Sequence, residues 1–294
     1  MRTEHSSPPR HRQHRGLIPA TVLAAAVLLM PACAKTDSKS SVASGSATTS
    51  GRAGSGTTAK RVTSGHRELC DAWIDVDKVA SQIFDESTPP NEIKADALRM
   101  NALLTRDQDP PTELTAPLGT LTSALAAVAA GGDTSQLEAD SPTVAFSTLG
   151  NWVHDHCGFT KVDLTFRDYA YEGMPATLPE GPVSFKGTSQ GQNAHMIVLI
   201  RLNKDVRGDP VKAVTDAIKN ATGDPFEALT KVGKDVVDGA FTTPGGTGSV
   251  TARLTRGTYV ILCPRPVGYT GAGAPPENAP AHVMVGMIKG FEVA

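Results

Sequence analysis

The 294-residue sequence is short of several things, and each shortage excludes a class of protein. It has no excess of positive charge: 28 Lys and Arg stand against 30 Asp and Glu. Residues 1–32 carry four Arg and one Glu, 34–64 five basic residues and one acidic, and 65–294 carry 19 basic and 28 acidic. A body at −9 lacks the clustered cations that phosphate contacts need, which excludes a nucleic-acid binder. Long apolar runs are missing too. The longest, Leu17 to Met30, has 14 residues and is interrupted by Pro19, short of the roughly 20 that span a bilayer. On this reading the chain is not an integral membrane protein. Catalytic signatures are absent as well: there is no Gly-rich phosphate loop, nucleophile elbow, CxxC or paired zinc motif, and Gly131-Gly132 and Gly245-Gly246 read as turns. A binding or electron-carrying role is therefore expected ahead of an enzyme. Cysteine is scarce, and the four present can each be given a role.

The first falls at the end of an export signal. Arg10, Arg12 and Arg15 precede a short apolar stretch, which closes on Leu29-Met30-Pro31-Ala32-Cys33. This resembles a bacterial lipobox. The resemblance implies a signal peptide over 1–32, lipidation of Cys33, and a protein anchored by its acyl chains to the outer face of the cytoplasmic membrane. Between residues 34 and 64, 23 of 31 are Ser, Thr, Gly or Ala. Such a segment buries too little apolar surface to offset its ordering entropy. We read 33–65 as a disordered tether with a reach of about 30 Å.

Residues 66–158 show helical spacing. Leu69, Trp73, Val76, Ala80 and Ile83 form one stripe, and Ile93, Ala97, Met100 and Leu104 a second. Leu114, Leu118, Leu121, Leu125 and Val128 form a third, and Phe146, Leu149, Val153 and Cys157 the last. Ser141-Pro142 reads as the N-cap pair of the last helix and Gly158 as its stop. Four helices with short connections predict an up-down four-helix bundle. That topology brings the start of the first helix beside the end of the fourth, so Cys70 and Cys157 are expected to form a disulfide in an oxidising compartment. His154 and His156 lie two apart, on different helix faces, and read as solvated residues at a helix C-terminus.

After Gly158 the period changes to two, as in Val162, Leu164 and Phe166. Residues 194–202, Ser249–Leu254, Gly257–Cys263 and His282–Val293 read as further strands, and the region 159–294 as a β-sandwich. Residues 209–240 read as two inserted helices. Asp209-Pro210 and Asp224-Pro225 start them, Glu227 completes a capping box, and Phe226, Leu229 and Val236 are the packing residues. The fold class expected is α+β in two domains, a helical bundle and a sandwich with a helical insertion.

The last 40 residues carry the chemistry. A Tyr259-x-x-x-Cys263 strand is followed by His282-x-x-x-Gly286-Met287 and a final strand, while His195 opens an apolar strand upstream. This resembles the signature of cupredoxins, the blue-copper family. The resemblance implies His195, Cys263 and His282 as equatorial copper ligands and Met287 as the weak axial one, a set that suits both copper oxidation states. It also implies electron transfer or copper handling, with a redox or copper-handling partner protein. Two features depart from that family. Eighteen residues (264–281) separate Cys263 from His282, and no residue clearly matches the Asn that precedes the first His, Asn193 standing too close. Met196 and Met284 alternate with the histidines and should face the other way. The alternative is a metal-free interaction module of the cell envelope, in which Cys263 and Met287 are core residues and the histidines only hydrogen-bond. Convergence of the ligand atoms separates the two.

Overall fold

The computed structural model describes residues 66–84, 88–222 and 227–294. The export signal, Cys33, the tether, and the Asp224-Pro225-Phe226 part of the second inserted helix lie outside the described residues.

The four stripes become α1 (Arg67–Ile83), α2 (Pro90–Leu104), α3 (Thr115–Gly131) and α5 (Asp140–His156), with a single turn, α4 (Ser135–Glu138), before the last. Pro90 occupies the first turn of α2, where its missing N–H costs nothing. Gly132 ends α3 at φ 78°, a left-handed stop that glycine adopts freely. Consecutive helices pack on one another, and α1 also meets α5. Trp73, Leu121, Leu125, Leu149 and Val153 are fully enclosed in their shared core. The last helix begins one residue before Ser141, at Asp140 with Ala139 as its cap, and neither side chain caps it. With its leading turn of 3₁₀ helix, α3 covers Thr112–Gly131 and is long and apolar enough to cross a membrane by composition. Thr, Ser and Gly interrupt its apolar residues, so it contains no long unbroken apolar run. Its stripe Leu118, Leu121, Leu125 and Val128 is instead buried in the helical core.

Two sheets follow. One has the order β2 (Ala170–Glu172), β1 (Thr160–Arg167), β4 (Gly181–Ser189), β7 (Thr247–Leu254), with β1 and β4 parallel. The other runs β3 (Thr177–Leu178), β9 (Ile288–Val293), β8 (Gly257–Leu262), β5 (His195–Leu202), β6 (Gly233–Thr242). Their inner faces enclose Phe166, Phe185, Leu199, Tyr259, Ile261 and Phe291. Gly187 on β4 is required by this packing, since a Cβ there would lie 1.9 Å from Phe166 Cζ.

The insertion is half as helical as its sequence pattern predicts. α6 (Pro210–Lys219) is capped by Asp209, whose carboxylate accepts from the Val211 and Lys212 amides. Beyond it, Glu227–Lys231 is a short 3₁₀ turn, and 233–240 belongs to strand β6. α6 covers the outer face of the second sheet, burying Val214 and Ile218 against Ile200, Val260 and Leu262. Strand β5 is thus covered on both sides, which is why its Met196–Ile200 stretch is a continuous apolar run instead of an alternation.

The helical and β regions, expected as separate domains, belong to one compact unit. α5 lies against β4 and β7 of the first sheet, and α1 lies across β7 and β6, the adjoining edge strands of the two sheets. Edge strand β7 would otherwise present free backbone groups. Asp77 of α1 accepts the Thr251 amide at 2.7 Å, and Ser147 of α5 donates to the Thr247 carbonyl at 3.0 Å. Gly150 makes the approach close: a Cβ there would stand 2.6 Å from Ser249 Oγ. His154, expected in solvent, is buried in this interface. Its Nδ1 lies 3.1 Å from Ser184 Oγ and its Nε2 3.2 Å from Asp163. Docking of α5 on the sheet, which helical spacing alone does not reveal, accounts for the difference. His156 does remain exposed, stacked on Trp152. Cys70 and Cys157 are bonded as expected, with Cα atoms 5.4 Å apart.

Candidate metal centre

Three strand ends meet at one pole of the sandwich. His195 is the first residue of β5, Cys263 directly follows β8, and His282 opens a 3₁₀ turn (His282–Val285) before β9. The sequence pattern assigned His282–Met287 to a strand. The chain turns there instead, with Gly286 at φ 117°, a conformation that favours glycine. This turn lets the Met287 amide donate to the His282 carbonyl at 3.0 Å. The Cys263 amide donates to the Met287 carbonyl at 3.1 Å, and the Val283 amide to the Cys263 carbonyl at 2.9 Å. The two ends of the Cys-to-His segment are thereby locked side by side. The 18 residues between them do not loosen the site, because they leave through a closed neck. Pro266 pairs with Ala281, the Val267 amide donates to Pro280, and the His282 amide donates to Arg265.

His195, Cys263 and His282 each offer a ligand atom, all within 4.8 Å of one another, and all three side chains are buried. Cys263 Sγ and His282 Nδ1 are 3.4 Å apart, and the two imidazole centroids 5.0 Å. Metal bonds of about 2.0–2.3 Å at trigonal angles place ligand atoms roughly 3.5–4 Å apart, so the Cys263–His282 pair already stands close to the ligand-to-ligand separation of such a site. Both ring nitrogens of His195 and Nε2 of His282 are buried without a hydrogen-bond partner. Buried polar atoms are ordinarily paired, so an unpaired His195 imidazole beside a thiol that already meets His282 Nδ1 fits a metal ion. Met287 is wholly enclosed in the same core as Cys263. Met196 packs from the edge of that core, and Met284 packs on the other side, beneath α6.

The electrostatics favour ligation. Desolvation, aided by His195, pushes His282 down to about 4, so its imidazole is neutral at ordinary pH. Desolvation also lowers His195, against the nearby Asp168 carboxylate, which raises it. Burial pushes the Cys263 thiol up to about 11, while the amides of Met196 and Arg265 pull the other way. Without a cation the sulfur keeps its proton, and metal binding must release it.

Three further residues complete the site. The two-residue turn between β1 and β2 serves both histidines: Asp168 faces His195 Nε2 at 3.7 Å, and the Tyr169 ring stands edge-on to His282 at 5.3 Å. Tyr169 holds φ 69°, unusual for a residue with a side chain. Asp168 is itself held by the Gln192 and Asn193 amides and by Asn193 Nδ2 at 2.8 Å. Asn193 then accepts the Gly268 amide on Oδ1 at 2.6 Å, tying the first histidine's strand to the cysteine's loop. Asn193, judged too near His195 to act, therefore bridges the two ligand segments. Asp168 and Tyr169 escaped the sequence reading, and the Asp-Tyr step between two alternating segments was their only trace.

No protein-family model matches the chain, and no curated protein sequence matches it. Among solved structures, sodium-dithionite-reduced auracyanin from the photosynthetic bacterium Roseiflexus castenholzii matches at 22% identity and a TM-score of 0.29, over 46% of this chain and 97% of that one. Auracyanin A, a "blue" copper protein of Chloroflexus aurantiacus, matches at 14% identity and a TM-score of 0.28, over 46% and 98%. Reduced rusticyanin matches at 16% identity and a TM-score of 0.26, over 46% and 80%.

Proposed function

We propose that this chain is an extracytoplasmic copper protein of cupredoxin type that carries electrons, tethered to the membrane through Cys33. The observation that carries the reading is the buried convergence of two imidazoles and one thiol from three separate chain segments. His195, Cys263 and His282 would hold the ion, with Met287 as a weak fourth ligand. Copper so held accepts and returns one electron, because thiolate and imidazole suit both of its oxidation states. The chain's own task is to keep that geometry fixed. The closed neck at Pro266 and Ala281 sets the Cys263–His282 separation, and Asp168 orients the His195 ring by occupying its Nε2 side. Burial of all three donors keeps water from the site. The disulfide agrees with an oxidising location, and the leader pattern with export.

The test is a redox cycle on the copper-loaded full chain. The thiolate-to-copper charge-transfer band should bleach with a one-electron reductant and return with an oxidant, over repeated cycles. A chain that binds Cu(I) tightly and gives no Cu(II) form would point to storage or delivery and end the electron-transfer reading.

A further inference from the structure

The pole of the sandwich away from the metal centre holds a cleft of about 350 Å³ whose wall carries Arg201, Lys204, Arg207 and Arg256. Glu292 is the one carboxylate on that wall among the described residues. Strand β8 separates the two sites. It starts at Gly257 on the cleft and ends beside Cys263, six residues or about 20 Å away. Four cations gathered in one hollow stand out on a body whose net charge is negative.

Their charge is held in place yet little neutralised. Arg201 donates to the Arg256 carbonyl at 2.7 Å, and Arg207 to the carbonyls of Lys204 and Val206. Carbonyls fix a guanidinium without cancelling its charge. Among the described residues, Arg256 alone of the four pairs with an acid, Glu180 at 3.4 Å. Gly257 leaves room for the arrangement: a Cβ there would lie 3.1 Å from Arg201 Nε, and its φ of 154° disfavours a side chain as well. A fixed guanidinium beside a second one and an ammonium, in a hollow of this size, matches a tetrahedral oxyanion with several acceptor oxygens.

We propose that this cleft binds a phosphate group. Phosphate can come from a phospholipid headgroup or from a soluble phosphate ester. A headgroup in the cleft would turn this pole to the membrane and leave the metal pole facing outward. The inference does not depend on the copper reading, and its test needs no metal.

The probe is inorganic phosphate, titrated calorimetrically at fixed ionic strength into the full chain carrying Cys33→Ser. Saturable binding is expected. It should weaken at least ten-fold in Lys204→Gln/Arg207→Gln, two exposed positions whose change leaves the fold intact by circular dichroism. It should be unchanged in Arg99→Gln, an exposed cation on α2. The second arm is retention on phosphatidylglycerol vesicles against phosphatidylcholine vesicles. Retention that phosphate displaces and that falls in the double variant identifies the headgroup. Saturable phosphate binding with equal retention of both proteins identifies a soluble ester. Phosphate binding that does not saturate, or that is equally strong in the double variant, overturns the proposal whatever the vesicles show.

Discussion

Residues 66–158 carry 15 acidic and five basic side chains, whereas residues 159–294 carry 13 acidic and 14 basic. The two regions share one compact unit but treat polar groups differently. Among the described residues of the helical region, the buried polar side chains are Asp77 and His154, and both face the sheet. The β region buries imidazoles, hydroxyls and an amide, and gathers the imidazoles around a thiol at one pole. The difference is one of labour. The helices brace an outer sheet face and shield an edge strand, while the sandwich keeps a neutral donor set away from water. A brace tolerates surface charge, but a soft-ligand site does not tolerate unpaired buried charge.

Breaking the brace should have the largest effect. Cys70→Ser with Cys157→Ser removes a cross-link spanning 87 residues and should cost about 2–5 kcal/mol in chemical denaturation. If the division of labour holds, the metal-centre spectrum survives below the transition; a spectrum lost together with the disulfide would merge the two roles. Next is the contact between the regions. Gly150→Val places a side chain where Ser249 already stands, and an expected loss of about 1–3 kcal/mol would be read from the same denaturation curves.

The interface should also give opposite pH responses from two of its buried titratable groups, His154 and Asp77. Desolvation lowers the folded pKa of His154 below the ordinary imidazole value of 6.5. The unfolded chain then takes up the proton first, and stability falls as pH drops below about 6.5, by at most about 1.4 kcal/mol per pH unit. His154→Gln should flatten that slope. Burial raises Asp77 well above its ordinary 3.8, so its ionisation opposes folding as pH rises through the interval above 3.8. Asp77→Asn should remove that loss, and a stability profile unchanged by either substitution would show that the interface does not titrate. The smallest effect is expected inside the β region. Asp168→Asn removes a negative charge near His195 and should raise the reduction potential on the order of tens of millivolts without loss of the metal band, measured by redox titration. An unmoved potential would mean that Asp168 only shapes the turn.

The parts of this organisation that could be read from sequence are those written in one local period. The four helical stripes are buried almost residue for residue, because each apolar face is separated from the next by a clear break. His195, Cys263 and His282 came from the resemblance to cupredoxins, carried by the Cys263 and His282–Met287 spacing, and the structure brings the three side chains together. The misreadings have physical causes as well. Of the packing residues expected for the second inserted helix, Leu229 lies in a 3₁₀ turn and Val236 in β6, so the Asp-Pro cap signal opens no helix that runs on to 240. His282–Met287 alternates like a strand, yet Gly286 bends it into a turn. His154, Asp168 and Asn193 owe their roles to partners distant in sequence, Ser184, His195 and Asp168 in turn, or to a turn too short to carry a pattern.

The central claim is that His195, Cys263 and His282 form one copper site, and its most direct test is a Cu(II) titration of the full chain beside its Cys263→Ser variant. The expected result is one copper per chain with an intense thiolate-to-copper absorption, absent from the variant although its circular dichroism is unchanged. A colourless titration of the folded native chain, or the same copper binding in both proteins, would contradict it.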